Sequence, residues 1–178
     1  MSFLLLLIVA SALAYVPQFF AGDRRDLRMA MRHGMALALL FTGADHFAND
    51  TSRYLPMMPA FFGSAALPLV WITGAAEIAG AIGLAMPLAA WRRLGLPNLR
   101  PVAGVALAVL FALLVIANIN MAIQGTDVRG LEFGRTYLIV RPLLQPLFML
   151  WALYAAGVIG RGSRAGPIER RPSAANAR

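Results

Sequence analysis

Cysteine is missing from all 178 residues, lysine is missing too, and charged residues of every kind make up only 13% of the chain. Without cysteine, the chain by itself can form no disulfide, no iron–sulfur cluster and no thiolate zinc site. Two histidines leave little for a metal or a haem: His33 is expected at the cytoplasmic headgroups, and His46 has no second histidine and no carboxylate at chelating spacing on its own helix face, so no metal site is expected. The shortage of charge is the larger fact, because soluble domains carry roughly a quarter charged residues. Hydrophobic residues reach 60% here, and lipid is the expected solvent. The net charge of +8 comes without a basic helix or an aromatic-basic module, so nucleic acid is not an expected partner.

Apolar runs near the ~20 residues that cross a hydrocarbon core of about 30 Å occur at 3–21, 29–47, 67–88, 101–123 and 137–160. They predict an all-α membrane protein of five spans. Arginines follow the first, third and fifth runs (Arg24, Arg25, Arg28, Arg32; Arg92, Arg93, Arg100; Arg161, Arg164, Arg170, Arg171, Arg178). The opposite side keeps Arg53, Arg129 and Arg135. The positive-inside rule then sets the N-terminus outside and the C-terminus in the cytoplasm. Lysine-free, alanine-rich composition suggests a GC-rich prokaryotic gene, hence a prokaryotic inner membrane. The first run is read as a retained anchor; the alternative is a signal peptide cut near Ala12-Leu13-Ala14, but no positive charge precedes its apolar run. Three regions result: an anchor and basic loop (1–28), a membrane domain (29–160), and an Arg-rich disordered cytoplasmic tail (161–178).

Within this apolar background a carboxylate stands in WITGAAEIAGAIG. At ~1.5 Å per residue, Glu77 falls near mid-membrane, among small residues that let helices approach. Asp45, His46 and Asn49 close the second run, Asn118, Asn120 and Gln124 lie late in the fourth, and Arg141 and Gln145 open the fifth. These positions share the outer half of the bundle. A buried carboxylate needs a partner or a proton, and Arg141 is the expected partner of Glu77. The expectation is a polar pocket of Glu77, Arg141, His46, Asn118 and Gln145, with Trp71, Phe41, Tyr54 and Phe61 as apolar walls and residues 56–62 as roof. Pro142 and Pro146 remove backbone donors four residues apart, freeing carbonyls beside Arg141 and Gln145 or simply kinking the helix.

FTGADHF (41–47), YLPMMP (54–59), TGAAEIAGAIGLAMP (73–87), ANINMA (117–122) and VRPLLQPLFMLW (140–151), in this order and spacing, resemble the DoxX and DoxX-like family of small integral membrane proteins. The resemblance implies a four-helix transmembrane bundle, so the N-terminal helix and the tail look like additions that its core does not require. It also implies family-like polar positions at His46, Glu77, Asn118 and Arg141, and a respiratory or redox-stress setting with a membrane or periplasmic redox protein as partner.

Three functions stay open. The first is an accessory subunit whose pocket holds a quinone or similar hydrophobic molecule. The second is an acid/base enzyme, isomerase-like, using Glu77 and Asp45 as catalytic groups on a lipid-like substrate. The third is an assembly subunit in which the polar cluster only fixes helix register. Membrane lipids are partners in each case, and a homo-oligomer is compatible with all three.

Overall fold

The computed structural model describes residues 3–20, 26–124 and 134–160, and every regular element among them is helical. The chain forms α1 (Phe3–Tyr15), α2 (Leu27–Ala48), α3 (Ala66–Ala85), the short α4 (Leu88–Arg93), α5 (Arg100–Gln124), α6 (Gly134–Leu143) and α7 (Gln145–Ala156). The loop with Arg24 and Arg25, the loop with Arg129, the Arg135 side chain and the 161–178 tail lie outside the described residues.

Local chemistry explains the helix ends. Asp26 caps α2 by accepting from the Met29 amide at 3.0 Å, while the Gln18 side chain accepts from the Asp26 amide at 2.6 Å and so ties the end of α1 to the start of α2. Pro87 starts α4, and α7 stops at Gly157, whose φ of 78° is a left-handed cap conformation. The expected fifth run is two helices: α6 and α7 meet at Leu144 with a bend of 40°, Pro142 lying inside α6 and Pro146 in the first turn of α7.

Two helices are long and apolar enough to cross a membrane, Ala60–Ala85 with its leading turn and Arg100–Gln124, and the bent pair makes a third if it is one span. The apolar stretch Phe3–Phe19 is shorter, and α2 carries Arg28, Arg32 and Asp45. The outward face of α5 presents Val102, Val105, Val109, Leu113 and Ile116. A continuous apolar surface of this kind fits a membrane protein.

Packing closes a ring. α2 lies on α3, α3 on α5, α5 on α7 and α7 on α2, and α1 packs along α2. The core holds Met35, Leu39, Leu84, Leu107, Phe111 and Phe148. At the α2–α3 seam, Gly43 and Gly74 face each other so closely that a Cβ on Gly74 would sit 2.6 Å from the His46 Cβ. The N-terminal helix is more than an addition. Leu7 is fully buried in the same core, and the Phe3 ring meets Phe148 edge-on at 4.9 Å. Its apolar face is used because Gly34 of α2 lets Ser11 approach in van der Waals contact.

Candidate functional site

α2 ends, α3 begins, α5 ends and α6 lies in the same half of the bundle, and there the helices enclose a cavity of about 380 Å³. That is within the usual range for a small-molecule pocket, about 300–1,000 Å³. Its floor is aromatic, from Phe3, Phe111 and Phe148, and its roof is Met57, Met58 and Phe62. The roof is a run of tight turns, Asp50–Tyr54, Leu55–Met57 and Ala60–Ala65, broken by Pro56, Pro59 and a left-handed Gly63. Met57 is pinned against Met121 and Leu138, and the Asn120 amide donates to the Met57 carbonyl at 3.2 Å.

Glu77, His46, Asn118, Arg141 and Gln145 all line this cavity. Each is there because its helix turns it inward: α2, α3 and α5 contribute one buried polar residue apiece, and the α6–α7 bend contributes Arg141 and Gln145. Asn118 faces the cavity while Asn120 turns to the roof, as their diverging helix positions require.

The partners differ from the expected ones. Glu77 accepts a hydrogen bond from the Thr42 hydroxyl at 2.5 Å, and its other oxygen lies 3.7 Å from His46 Nε2. Among the described residues its contacts do not include Arg141. The expected Glu77–Arg141 pair is therefore corrected to Glu77–His46, because Thr42 and His46, one turn apart on α2, face α3 directly across the Gly43–Gly74 contact.

His46 is oriented from three sides. Its Nδ1 lies 2.9 Å from the Val70 carbonyl, which can only accept, so Nδ1 carries a hydrogen and Nε2 is the nitrogen turned to Glu77. The Thr73 hydroxyl bonds the same Val70 carbonyl at 2.8 Å. The Tyr54 ring stacks on the imidazole at 3.7 Å between centroids. At 3.7 Å, His46 Nε2 faces the Glu77 carboxyl without bonding it directly.

Asp45 does not reach the cavity. One residue from His46, it points about 100° away and is held by Arg53, by the Tyr54 hydroxyl at 2.9 Å and by the Asn49 amide at 2.6 Å. The expected Glu77/Asp45 acid–base pair is not assembled. Burial, and then the Asp45 charge beside it, pushes the Tyr54 phenol well above its ordinary range. Trp71, Phe41 and Phe61 are likewise not cavity walls. Six residues before Glu77, Trp71 faces about 120° away, and its indole donates to Asp50 at 3.0 Å. That hydrogen bond holds the exposed Asp50 carboxyl below its usual range. Phe41 and Phe61 are 58% and 75% exposed.

Arg141 contacts the Met121 sulfur at 3.4 Å and lies over the Tyr137 ring at 5.8 Å, and among the described residues no carboxylate contacts it. Gln145 Oε1 is buried without a hydrogen-bond partner. No group of three or more His, Asp or Glu suited to a metal occurs among the described residues. Sequence reading missed the Val70 carbonyl, the Tyr54 stack, and the floor from Phe3, Phe111 and Phe148. A backbone acceptor has no sequence signal, but the three phenylalanines all sit at positions pointing inward on apolar helices.

A family model described as "Domain of unknown function (DUF8561)" matches residues 35–156, and the chain belongs to that family. The match begins within α2 and ends with α7, so it spans the four-helix ring and every polar cavity residue. Comparison with curated proteins and with solved structures gives no match.

Proposed function

We propose that this member of the family is a five-span protein of a prokaryotic inner membrane, with its N-terminus outside, whose outer-half cavity binds a small hydrophobic molecule carrying a hydrogen-bond-accepting head, such as a quinone, in support of a membrane redox partner. The observation that carries the reading is Arg141. A guanidinium facing a largely apolar cavity with no carboxylate among the described residues is expensive to bury, and a ligand oxygen offsets that cost. Asn118 and Gln145 beside it supply further polar contacts, and the aromatic floor suits a ring or an isoprenoid chain. The DoxX-like motifs support the same setting. Topology follows the arginines, with Arg28, Arg32, Arg92, Arg93 and Arg100 at one end and Arg53 at the other.

Mass spectrometry of small molecules that co-purify with the protein from nanodiscs tests this. Wild type is expected to carry one quinone-like molecule per chain, and a folded Arg141→Gln variant to lose it. If both preparations hold bulk lipid alone, ligand binding is refuted. A second reading then stands on the saturated partners of Glu77: Thr42 and His46 bind α2 to α3, and the protein is an assembly subunit.

A further inference from the structure

A second feature lies at the other end of the bundle, outside the ligand cavity. Between α3 and α5 an apolar groove of about 510 Å³ runs along Ala76, Ala79, Gly83, Ala103 and Ala106, with Trp91 of α4 as part of its wall. The helices pass so closely there that a Cβ on Gly83 would lie 2.7 Å from the Ala103 Cβ. Small residues leave a furrow on the outward side, and by themselves would mean no more than tight packing.

Two further observations point to an occupant. Trp91 is only 7% exposed, yet its indole N–H has no hydrogen-bond acceptor. Buried indole N–H groups usually have one. At the same end Arg92 and Arg93 are exposed, and Arg100 spends Nε and one Nη on the Met86 carbonyl, at 3.2 and 2.8 Å. Among the described residues no carboxylate pairs with these three arginines.

We infer that the α3–α5 groove is a binding site for one anionic glycerophospholipid. Its acyl chain lies along the alanine and glycine wall, an ester carbonyl accepts from the buried Trp91 Nε1 at the groove's wall, and the phosphate rests on Arg92, Arg93 and Arg100. An apolar furrow, a lone donor and a cation cluster follow one another in the order in which such a lipid presents chain, ester and phosphate. The inference rests on the membrane-spanning reading, which makes this the cytoplasmic end, where anionic lipids face basic juxtamembrane residues.

The test is native mass spectrometry of the intact chain in mild detergent, titrated with phosphatidylglycerol or phosphatidylcholine. Wild type is expected to retain one phosphatidylglycerol in clear preference to phosphatidylcholine. Arg92→Gln with Arg93→Gln should lower that preference about fivefold for each arginine removed. Ala106→Phe, at an outward position that tolerates bulk, should reduce retention of both lipids, and Ala79→Phe on the facing wall should do the same. Equal retention of the two lipids by wild type overturns the proposal. So does unchanged retention in both groove variants, provided they elute as single species, and so does a dimer that the groove variants dissociate, since a second copy would then be the occupant. Carbonate extraction separates the two readings: release from membranes would defeat the spanning topology, whereas a membrane-retained chain without phosphatidylglycerol preference defeats the lipid site alone.

Discussion

Replacing Gly74 by alanine probes the contact on which the cavity's geometry depends. The added methyl would lie 2.6 Å from the His46 Cβ and 3.0 Å from the Gly43 carbonyl oxygen, where carbon contacts are comfortable near 3.5–4.0 Å. Neither neighbour is the free end of a flexible side chain, so α2 and α3 must move apart. Overpacking of this type costs about 1–3 kcal/mol. Separation also stretches the bond from His46 to Val70, at 2.9 Å, and that from Thr42 to Glu77, at 2.5 Å. A buried polar group that loses its partner costs about 1–3 kcal/mol more. Against this, alanine in a helix is favoured over glycine by roughly 1 kcal/mol. The three figures leave a net loss of about 1–5 kcal/mol, so the sign is destabilising over the whole range. Thermal unfolding in a defined detergent, followed by circular dichroism, reads it. Ala75→Leu, at the exposed next position, is the control and should stay within about 0.5 kcal/mol of wild type. A Gly74→Ala midpoint at or above that of wild type would refute the argument, because helix propensity would then outweigh the close contact.

Glu77→Ala removes one acceptor of the Thr42 hydroxyl, which keeps the Ala38 carbonyl at 3.1 Å, and empties the space beside His46; it is expected to cost about 1–3 kcal/mol, and Glu77→Gln, which keeps an acceptor for Thr42, should lose less than half as much by chemical denaturation. Leu7→Ala is expected to cost about 2–5 kcal/mol, whereas a dispensable anchor would give no change in midpoint. The Tyr54 phenol, held above the ordinary tyrosine range by burial and Asp45, should stay protonated through about pH 10. Its folded pKa is the raised one, so its stabilisation is complete below the ordinary tyrosine pKa and is lost only as pH rises above it. The ultraviolet difference titration of wild type against Tyr54→Phe checks this, and a phenolate appearing at the ordinary pH would count against the buried Tyr54–Asp45 contact.

Helices were legible because the apolar runs are long and bounded by arginine, proline and glycine. The expected 101–123 is α5, and 29–47 is α2 within two residues at either end. The bend at Leu144 was legible from Pro142 and Pro146, whose missing donors act locally. Position along the helices was also legible, since rise per residue is fixed, and His46, Glu77, Asn118, Arg141 and Gln145 do meet at one cavity. Pairing was not. It depends on which helix faces which, and the ring order sets α2 against α3, giving Glu77 to Thr42 and His46. Wall residues failed for a related reason: Trp71 and Phe41 have the right depth but the wrong azimuth, and in lipid an aromatic ring can point outward at little cost. The participation of α1 was hidden as well, because Leu7 reads the same whether it faces lipid or a protein core.

The corrected pairing changes what each polar group can be for. Had Glu77 neutralised Arg141, the cluster would have been self-sufficient and its role confined to holding helices together. Instead the polar groups divide. Thr42 donates to Glu77, His46 is held by the Val70 carbonyl and the Tyr54 ring beside them, and the three join α2 to α3 at a glycine contact. Arg141 and Gln145 are held on the far wall by a break in the backbone, with a sulfur, a ring and, among the described residues, no carboxylate for company. The first group explains its own burial through the stability it adds. The second does not, because a guanidinium costs several kcal/mol to desolvate and could have been apolar if packing were its purpose. On the proposed reading, helix glue and ligand binding are therefore not competing accounts of one cluster. They belong to opposite walls of one cavity, and substitutions on the two walls should separate: loss of folding from the α2–α3 side, and loss of a bound molecule from a folded protein on the α6–α7 side.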